Sequence, residues 1–458
     1  MTSRRKPLSV VILAAGHGKR MKSDLPKVLQ PLAGHPLLAH VLDAASALKP
    51  ALIHVVYGFG GAQVRLAVRA PNLRWVLQAD QHGTGHAVQQ AMPGIPDDHN
   101  VLVLYGDVPL ICAATLCELL ALTGPKSMGL LTAMFDDPAG YGRVVRGARG
   151  QVLRVVEQKD CSARELKIRE CNTGVLAVPA KLLKRWLAKL RPANAQREYY
   201  LTDIIAMAAK DKIKVVPLVT ATRTEALGVN DKMQLAKLEG EYRRRRALEL
   251  MQAGVTVIDP ARLDVRGAVT CGRDVVLDVN VVLDGPVQLG DGVRVGANCV
   301  LSQVQVGRGT HIKPNCVIER AEIGANCQIG PFSRVRPETT LHDNVHIGNF
   351  VEVKKSEIGA GSKANHLSYL GDTSVGAGVN IGAGSVTCNY DGANKWRTEI
   401  GDGVFIGSGT MMVAPVKIGA GATIGAGSTI TKDAPPGQLT LERSTQKTVE
   451  HWRRPVKK

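Results

Sequence analysis

The feature that most constrains the fold is a six-residue repeat of aliphatic side chains that begins after residue 252. Its steps are six residues long, apart from three steps of five, and Cys271 fills one gap. A hexad held this long predicts a parallel β-helix, in which each hexad forms one short strand and a corner. The residues expected to point inward are Val265, Leu277, Leu283, Leu289, Val295, Leu301, Val306, Ile312, Ile318, Ile323, Ile329, Val335, Leu341, Ile347, Val353, Ile358, Val375, Ile381, Ile406, Met412, Ile418, Ile424 and Ile430.

The repeat is interrupted at two places. The fit is poor between Ala364 and Val375, a stretch that contains "NHLSYLG", and thirteen residues instead of twelve separate Thr387 from Ile400, around "CNYDGANKW". Repeat proteins place insertions on one face, which is often the binding face. The polar residues at these interruptions are therefore candidates for a functional site.

The N-terminal half has a different pattern. Continuous apolar runs at 8–16, 51–58, 100–107 and 128–135 suit buried strands, and helical patterns at 35–49 and 84–92 lie between them. This alternation predicts a mostly parallel sheet with helices on both faces. Residues 231–252 predict an amphipathic helix. We therefore expect an α/β domain over 1–231, a linker helix over 232–252 and a β-helix domain with a C-terminal tail over 253–458.

The charge balance points to anionic partners. The 458-residue chain carries a net charge of +18, which attracts nucleic acid, anionic lipid or phosphorylated metabolites. The basic run at 243–246 has no aromatic platform nearby, which favours a solvated linker helix over nucleic-acid binding. No window offers the ~20 apolar residues of a membrane span, and the apolar run near the N-terminus is too short for a secretion signal. We expect a cytoplasmic protein that is not inserted in a membrane.

Two N-terminal features suggest a phosphate and metal site. Gly16 and Gly18, after the first strand, let the backbone approach an anion, and Arg20 and Lys27 add positive charge, although a tight structural turn also explains the glycines. The loop matches neither the P-loop nor the dinucleotide-binding pattern. Asp107 ends a buried strand, where it suits either a divalent cation or a helix cap.

In the C-terminal half, His366 is a candidate general base, because an imidazole can accept a proton near neutral pH. Stacked coils would bring Glu352 and Lys354, about one coil earlier, close to it. Glu352 would orient the imidazole and Lys354 would hold a phosphate. The alternative is a polar ladder on a solvated coil.

Several motifs together resemble those of the sugar-phosphate nucleotidyltransferases. In order they are "LAAGHGKRM…LPK", "QADQHGTGHA", "YGD", "YGRVV", "VEQKD" and "ECNTGV". With the hexad half behind them, the chain resembles, from about residue 8 to "WRRPVKK", the bacterial bifunctional enzymes that carry N-acetylglucosamine-1-phosphate uridyltransferase and glucosamine-1-phosphate N-acetyltransferase activities. The resemblance implies a Rossmann-like nucleotidyltransferase domain, a left-handed β-helix and a homotrimer with acetyltransferase sites between subunits.

The resemblance also implies the residues of the first reaction. Arg20 would contact the phosphates, Gln78, Gly83 and Thr84 would read the uracil of UTP, and Tyr105 and Gly106 would line the sugar pocket. Mg²⁺ would be held by Asp107 and Asn230. The remaining contacts implied are those of UTP or the UDP-sugar with Leu13, Ala14, Ala15, Gly16 and Lys27, and those of N-acetylglucosamine with Gly142, Glu157 and Asn172.

For the second reaction the resemblance implies that His366 is the base. Asn389 and Tyr390 would contact glucosamine-1-phosphate or acetyl-CoA, and the tail, with Arg443 and Trp452, would help to close a neighbour's site. The other implied residues are Arg336, Lys354, Tyr369 and Asn380 for glucosamine-1-phosphate, and Ala383, Ser408, Ala426 and Arg443 for acetyl-CoA.

Two positions depart from the family pattern: Lys19 stands where threonine is usual, and His82 where leucine is usual. We expect altered affinity rather than lost activity, because both motifs act largely through the backbone. Two other interpretations remain. One is a nucleotidyltransferase whose β-helix only mediates oligomerisation, and the other is a basic scaffold that binds nucleic acid.

Overall fold

The structure is a computed structural model that describes residues 6–455 and 457. The chain divides into two compact units, residues 1–242 and 243–458. The first unit is an α/β domain and the second is a β-helix, and each is described on its own below. The two fold classes are those predicted from the sequence.

The first unit alternates strands and helices, as the apolar runs indicate. A two-residue hairpin, Pro31–Leu32 with His35–Pro36, follows the first strand. The other elements are β1 (Leu8–Ala14), α1 (Leu37–Ser46), β2 (Leu52–Tyr57), α2 (Gly61–Ala67), β3 (Leu73–Leu77), α3 (Thr84–Ala91), β4 (Asn100–Tyr105), α4 (Ala113–Ala121), β5 (Ser127–Met134), β6 (Arg143–Arg146), β7 (Val152–Val156), β8 (Glu170–Pro179), α5 (Ala180–Leu187), α6 (Asp203–Lys210) and β9 (Lys214–Val219).

These strands form one sheet in the order β9-β5-β8-β4-β1-β2-β3, with β6 paired to β8 and β7. The pairs β1–β4, β1–β2, β2–β3 and β9–β5 are parallel, whereas β8 runs antiparallel to β4 and β5. Val11 and Leu13 pack into one core cluster and Val10 and Ile12 into another. Both faces of β1 are therefore covered, which explains its uninterrupted apolar sequence.

Residues Lys232–Gln252 form one long helix, α7, in agreement with the predicted helix. Leu238 packs in a small core cluster of the first unit, and Ala247 and Leu250 pack in the core of the second. The division of the chain at residue 242 falls within this helix. Within the described part of the chain, every helix is too short or too polar to cross a membrane.

The second unit consists of three parallel sheets of very short strands. Sheet 1 contains Thr256–Val257, Val276–Leu277, Arg294–Val295, His311–Ile312, Gln328–Ile329, His346–Asn349, Lys363–His366, Asn380–Ile381, Phe405–Ile406, Thr423–Ile424 and Leu439–Thr440. Sheet 2 contains Asp264–Arg266, Val282–Asp284, Val300–Ser302, Val317–Glu319, Arg334–Val335, Glu352–Lys354, Tyr369–Gly371, Val386–Cys388, Met411–Val413 and Thr429–Ile430. Sheet 3 contains Val269–Cys271, Val287–Leu289, Gln305–Val306, Ala321–Ile323, Thr339–Leu341, Glu357–Ile358, Thr373–Val375, Thr398–Ile400 and Val416–Ile418.

Successive strands of the chain belong to sheets 1, 2 and 3 in turn. Each turn of the left-handed β-helix therefore contributes one strand to each sheet. Residues predicted to point inward stack above one another, as Leu283 does on Leu301 and Leu301 on Ile318. These side chains are fully buried and form one continuous core. The six-residue spacing thus places one aliphatic side chain inside at each strand.

Two expectations about the interruptions are wrong. The coil between Ala364 and Val375 is regular, because Ala364, Leu370 and Val375 all point into the core from successive sheets. Its unusual residues are simply the outward-facing ones. The second interruption is larger than one residue. Thr387 and Ile400 point inward from neighbouring sheets, and the usual spacing between two such residues accounts for six of the thirteen positions. The other seven belong to an inserted loop.

Candidate functional site

The carboxyl ends of β1 and β4 open into a cavity of about 330 Å³ in the first unit. The backbone after β1 forms one wall, and Gln78 and the start of α3 form another. Of the two glycines after β1, Gly18 adopts a left-handed conformation (φ +63°), and a Cβ there would lie 2.6 Å from Lys27 Cβ. Predicted residues that line this cavity are Leu13, Ala14, Ala15, Gly16, Lys27, Gln78, Gly83, Thr84, Tyr105 and Asp107.

A second cavity of about 250 Å³ adjoins the first and shares Tyr105 and Asp107 with it. Arg20 and Asn230 line this second cavity. Burial raises the pKa of the Tyr105 phenol, with the nearby carboxylates of Glu157 and Asp107 acting in the same direction. Tyr105 therefore remains a neutral hydrogen-bonding group between the two cavities.

Gly142, Glu157 and Asn172, which the resemblance assigns to the sugar, lie together. The Asn172 amide donates to the Gly142 carbonyl at 2.8 Å, and an added Cβ at Gly142 would lie 3.3 Å from Glu157 Oε2. Thr202 donates to Glu157 Oε1 at 3.0 Å. Burial raises the pKa of Glu157, an effect that the Thr202 hydroxyl opposes. A half-buried carboxylate whose Oε2 atom faces Gly142 is suited to accept a hydroxyl hydrogen bond.

Asp107 and Asn230, the two predicted metal ligands, converge on the ammonium of Lys27. Lys27 donates to Asp107 Oδ2, and Lys27 Nζ lies 3.4 Å from Asn230 Oδ1. A carboxylate and an amide oxygen are the hard donors that Mg²⁺ prefers. No group of three or more His, Cys, Asp or Glu side chains is arranged for a metal among residues 6–455 and 457. The oxygens of Asp107 and Asn230 fit Mg²⁺, which takes few protein ligands and keeps its other positions for phosphate and water.

In the second unit, several predicted residues stand in a single column where sheet 1 ends. Asn349 and His366 are direct partners in the register of the sheet. Backbone hydrogen bonds continue the column: Gly384 N donates to the His366 carbonyl, Gly409 N to that of Ala383, and Gly427 N to that of Ser408. The β-helix thus aligns His366 with the residues assigned to acetyl-CoA, which are Ala383, Ser408 and Ala426.

The imidazole of His366 has a different partner from the one expected. Its Nδ1 donates to Asn349 Oδ1 at 3.0 Å, whereas Glu352 Oε1 accepts from Arg336 Nη1 at 2.8 Å. Asn349 was assigned no role from the sequence, although it lies only three positions before Glu352. The register of one coil on the next was needed to find it.

Lys354 is joined by a residue that the sequence analysis did not assign. Lys395, in the inserted loop, lies close to Lys354. The interaction with the Lys354 side chain lowers the pKa of Lys395. Two ammonium groups in contact repel each other and favour a bound anion between them. Close by, Asn389 Nδ2 donates to the Asp372 carboxylate and lies 3.4 Å from the Tyr369 hydroxyl. Lys354, Tyr369 and Asn389 thus come together with Lys395.

The remaining predicted residues lie at other positions of the second unit. Asn380 faces outward from sheet 1, in register with Lys363. Arg443 brings its guanidinium near Gly425, next to Ala426. Tyr390 and Trp452 are exposed within the protomer. The loop that carries Tyr390 is held by Asp391, which accepts from the amides of Ala393 (2.8 Å) and Asn394 (2.6 Å) and from the Trp396 indole (2.6 Å).

Comparison with known proteins covers both units. Residues 10–253 match the profile of the MobA-like NTP transferase domain, residues 265–363 that of the GMPPB C-terminal domain, and residues 397–432 that of the bacterial transferase hexapeptide (six repeats). Among solved structures, a UDP-glucose pyrophosphorylase complexed with UDP-glucose matches with a TM-score of 0.43 at 15% identity, over 52% of this chain and 100% of that chain.

Relatives of full length are much more similar. The bifunctional protein GlmU of Azoarcus sp. (strain BH72) is 58% identical over 450 residues, which cover 98% of this chain and 100% of the relative. That of Nitrosospira multiformis (strain ATCC 25196) is 56% identical, over 98% of this chain and 98% of the relative. The chain belongs to the GlmU family.

Two polar residues that line the first cavity of this GlmU-family chain were not assigned from the sequence. Gln81 and Glu198 line the nucleotide cavity, and the Gln81 Oε1 atom accepts from His17 Nε2 at 3.0 Å. Gln81 lies inside the quoted motif "QADQHGTGHA", so the motif contained a signal for it. Glu198 comes from a distant segment and could be found only from the fold.

The two departures from the family pattern have different surroundings. Lys19 is exposed at the start of the short turn Lys19–Met21. His82 packs edge-on against His86 at 5.2 Å between ring centroids, and Gln78 Nε2 donates to His86 Nδ1 at 3.0 Å. His82 is thus one side chain removed from the residue assigned to read the base.

Proposed function

We propose that this GlmU-family protein makes UDP-N-acetylglucosamine in two steps. The second unit transfers an acetyl group from acetyl-CoA to glucosamine-1-phosphate, and the first unit then transfers uridylyl from UTP to N-acetylglucosamine-1-phosphate. The observation that carries the proposal is the column that aligns His366 with Ala383, Ser408 and Ala426 beside the Lys354–Lys395 pair. An oligomerisation scaffold needs neither feature.

In the acetyl transfer, Lys354 and Lys395 hold the sugar phosphate, with Arg336, Tyr369 and Asn380 nearby. His366 accepts a proton from the amino group as the amine attacks the thioester carbonyl. The C–N bond forms, the C–S bond breaks, and CoA leaves as the thiolate, which takes up a proton. Asn389 and Tyr390 would bind at the junction of the two substrates, and Arg443 would contact CoA.

A change of residue type along the next column supports the position of acetyl-CoA. Phe332, Phe350 and Leu367 occupy left-handed positions on three coils, and glycines occupy the equivalent positions on the following coils, at 384, 409 and 427. The glycines leave a smooth groove beside Ala383, Ser408 and Ala426. The pantetheine arm of CoA would lie in this groove.

In the uridylyl transfer, a phosphate oxygen of N-acetylglucosamine-1-phosphate attacks the α-phosphorus of UTP and pyrophosphate leaves. No protein nucleophile is required, so catalysis depends on positioning and charge neutralisation. Arg20 and Lys27 neutralise the phosphates, Gln78, Gly83 and Thr84 hold the uracil, and Gly142, Glu157 and Asn172 hold the sugar. Leu13 to Gly16 and Tyr105 with Gly106 form the walls.

The substrates of this reaction also require a divalent cation. Asp107 and Asn230 would hold Mg²⁺, which neutralises phosphate charge when it is bound. Their oxygens face the same ammonium group, so the pair is already assembled for a cation.

The second unit would act as a homotrimer. Phe332, Phe350 and Leu367 form an apolar ridge, which is 51%, 55% and 63% exposed, and the two phenyl rings stack at 5.5 Å. Phe350 and Leu367 directly follow Asn349 and His366, which belong to the His366 column. A second copy packed on this ridge would also cover the active site, and the tail with Trp452 would reach a neighbour's site. We place the enzyme in the cytoplasm, where UTP and acetyl-CoA are available, as a supplier of precursor for peptidoglycan and lipopolysaccharide.

The test is mass spectrometry of sugar phosphates after incubation with glucosamine-1-phosphate and acetyl-CoA without UTP. The wild type should give N-acetylglucosamine-1-phosphate, and His366→Ala should not. His342→Ala, an exposed histidine paired with Glu357 on another face, is the matched control and should retain activity. An inactive wild type that is folded would leave a nucleotidyltransferase with an inert β-helix.

A further inference from the structure

We propose that Asn349 is a positioning residue that sets the tautomer of His366, an inference that rests on the proposed acetyltransferase function. Asn349 and His366 end neighbouring strands of sheet 1, His346–Asn349 and Lys363–His366, and pair directly. His366 Nδ1 lies 3.0 Å from Asn349 Oδ1. The amide of Leu367 donates to the Asn349 carbonyl at 3.1 Å, so both backbones are tied at this point.

The chemical consequence follows from the partner atom. A side-chain amide oxygen only accepts hydrogen bonds, so Nδ1 must carry the proton and Nε2 must present its lone pair. An imidazole in this tautomer is ready to take a proton from the substrate ammonium or from the amine as it attacks. Because the amide is neutral, it selects the tautomer without adding charge beside the base.

The local packing holds Asn349 in place. A Cβ at the preceding Gly348 would lie 1.9 Å from the Asn365 carbonyl oxygen, so the two coils approach each other as closely as backbone allows. On the other side, Phe350 stacks on Phe332. Asn349 therefore has little freedom to move away from the imidazole.

The nearby ionisable groups have other roles. Glu352 accepts from Arg336 and so is engaged already. His346 and Lys363 lie on the same two strands as the pair. Burial is the main cause of the lowered pKa of His346, and the positive charge of Lys363 lowers this pKa further. Tyr369 faces Asn389 on sheet 2. In the described part of the chain, Asn349 supplies the side-chain hydrogen bond to the His366 ring.

The test compares Asn349→Ala and Asn349→Asp with the wild type in the full-length protein. Asn349→Ala should lower kcat for acetyl transfer by roughly 10- to 100-fold, which is less than the roughly 10²- to 10⁴-fold typical of a general base itself, because the base remains and only its positioning is lost. The KM values for both substrates and the uridylyl transfer rate should change by less than about twofold. Asn349→Asp keeps the acceptor and adds a negative charge, so it should retain activity and move the acidic limb of the kcat–pH profile to higher pH.

Gln328→Ala is the matched control, because it removes an exposed amide from the same sheet one coil before His346. It should leave acetyl transfer unchanged. An Asn349→Ala variant with the wild-type kcat, or an Asn349→Asp variant with an unshifted pH profile, would overturn the positioning role alone. A folded wild type without acetyltransferase activity would overturn both this inference and the proposed function. If Asn349→Ala does not fold, the pH profile of Asn349→Asp decides.

Discussion

Lys27 and Asp107 form an ion pair between the two cavities of the first unit, and the ammonium group also lies 3.4 Å from Asn230 Oδ1. Lys27 thus occupies the space between the two oxygens that would hold Mg²⁺. A divalent cation has to displace this ammonium group in order to bind. Once displaced, Lys27 is free to contact the phosphates of UTP, so metal binding and phosphate binding are coupled through one side chain.

We therefore predict opposite effects of Lys27→Ala on metal binding and on catalysis. The variant should bind Mn²⁺, a probe for Mg²⁺, more tightly in the absence of nucleotide, because the competing ammonium group is gone. Its uridylyl kcat should fall by about 10²- to 10³-fold, as is typical when a charge-stabilising donor is lost. Electron paramagnetic resonance titration and pyrophosphate release measure the two quantities. Lys22→Ala, which removes an exposed lysine of the same loop, should change neither. Weaker Mn²⁺ binding by Lys27→Ala would contradict the coupling.

The contact between Lys354 and Lys395 leads to a prediction about pH. Lys354 holds the pKa of Lys395 below the ordinary lysine value of 10.5. Just below pH 10.5 the unfolded chain therefore binds more protons than the folded chain, and the free energy of unfolding rises with pH there. Without phosphate, Lys395→Met should have a higher Tm than the wild type at pH 7, and the difference should shrink as the pH approaches 10.

The same pair should respond to anions. Inorganic phosphate at pH 7 should raise the Tm of the wild type more than that of Lys395→Met, because a bound anion relieves the repulsion. Lys395→Met should also raise the KM for glucosamine-1-phosphate by about tenfold. Lys432→Met, at an exposed lysine, serves as the control. Equal responses to phosphate in the wild type and Lys395→Met would exclude an anion site at this pair.

The sequence was sufficient to predict most of the fold, because burial leaves a direct pattern. Inward residues such as Leu283 and Leu301 recur every six positions, since each strand has one inner side chain. The loop that carries Lys395 was underestimated for a physical reason. An insertion of seven residues equals one hexad plus one residue, so counting alone interprets it as one more strand and corner with one extra position.

The contacts of the candidate site were harder to predict for a related reason. Side chains that point outward do not follow a regular hydrophobic spacing. Which of them become neighbours depends on whether each coil has 17 or 18 residues. Asn349 and His366 are 17 positions apart and pair directly, whereas Arg334 and Glu352 are 18 apart. Only the register of the coils brings Asn349, rather than Glu352, against the imidazole.

Substitutions of Leu370 and Leu367 test whether the coil that carries His366 packs regularly and whether the apolar ridge is an interface. Leu370 is fully buried in the β-helix core, whereas Leu367 is 63% exposed on the apolar ridge. Leu370→Ala should lower the free energy of unfolding by about 2–5 kcal/mol, because it leaves a cavity. Leu367→Ala should preserve the circular dichroism spectrum but weaken self-association, as measured by light scattering after size exclusion. Similar stability losses in both variants, with unchanged association, would show that the ridge is not an interface.

Gly409 tests the groove assigned to acetyl-CoA. Its φ of +71° is close to that of Phe350 and Leu367 at equivalent positions, so the fold tolerates a large side chain in this conformation. Gly409→Leu should therefore fold and extend the ridge into the groove. We expect the KM for acetyl-CoA to rise by at least about tenfold, a loss of ~1.4 kcal/mol, while the KM for glucosamine-1-phosphate stays within about twofold.

The control is Gly292→Leu, which imposes a similar backbone strain (φ +69°) on a coil far from His366 in the sequence. Steady-state kinetics with each substrate varied in turn distinguish the two effects. If Gly409→Leu and Gly292→Leu lose activity equally, backbone strain explains the loss. If Gly409→Leu instead raises the KM for glucosamine-1-phosphate alone, the groove binds the sugar phosphate. Ala383, Ser408 and Ala426 would then be assigned to glucosamine-1-phosphate instead of acetyl-CoA.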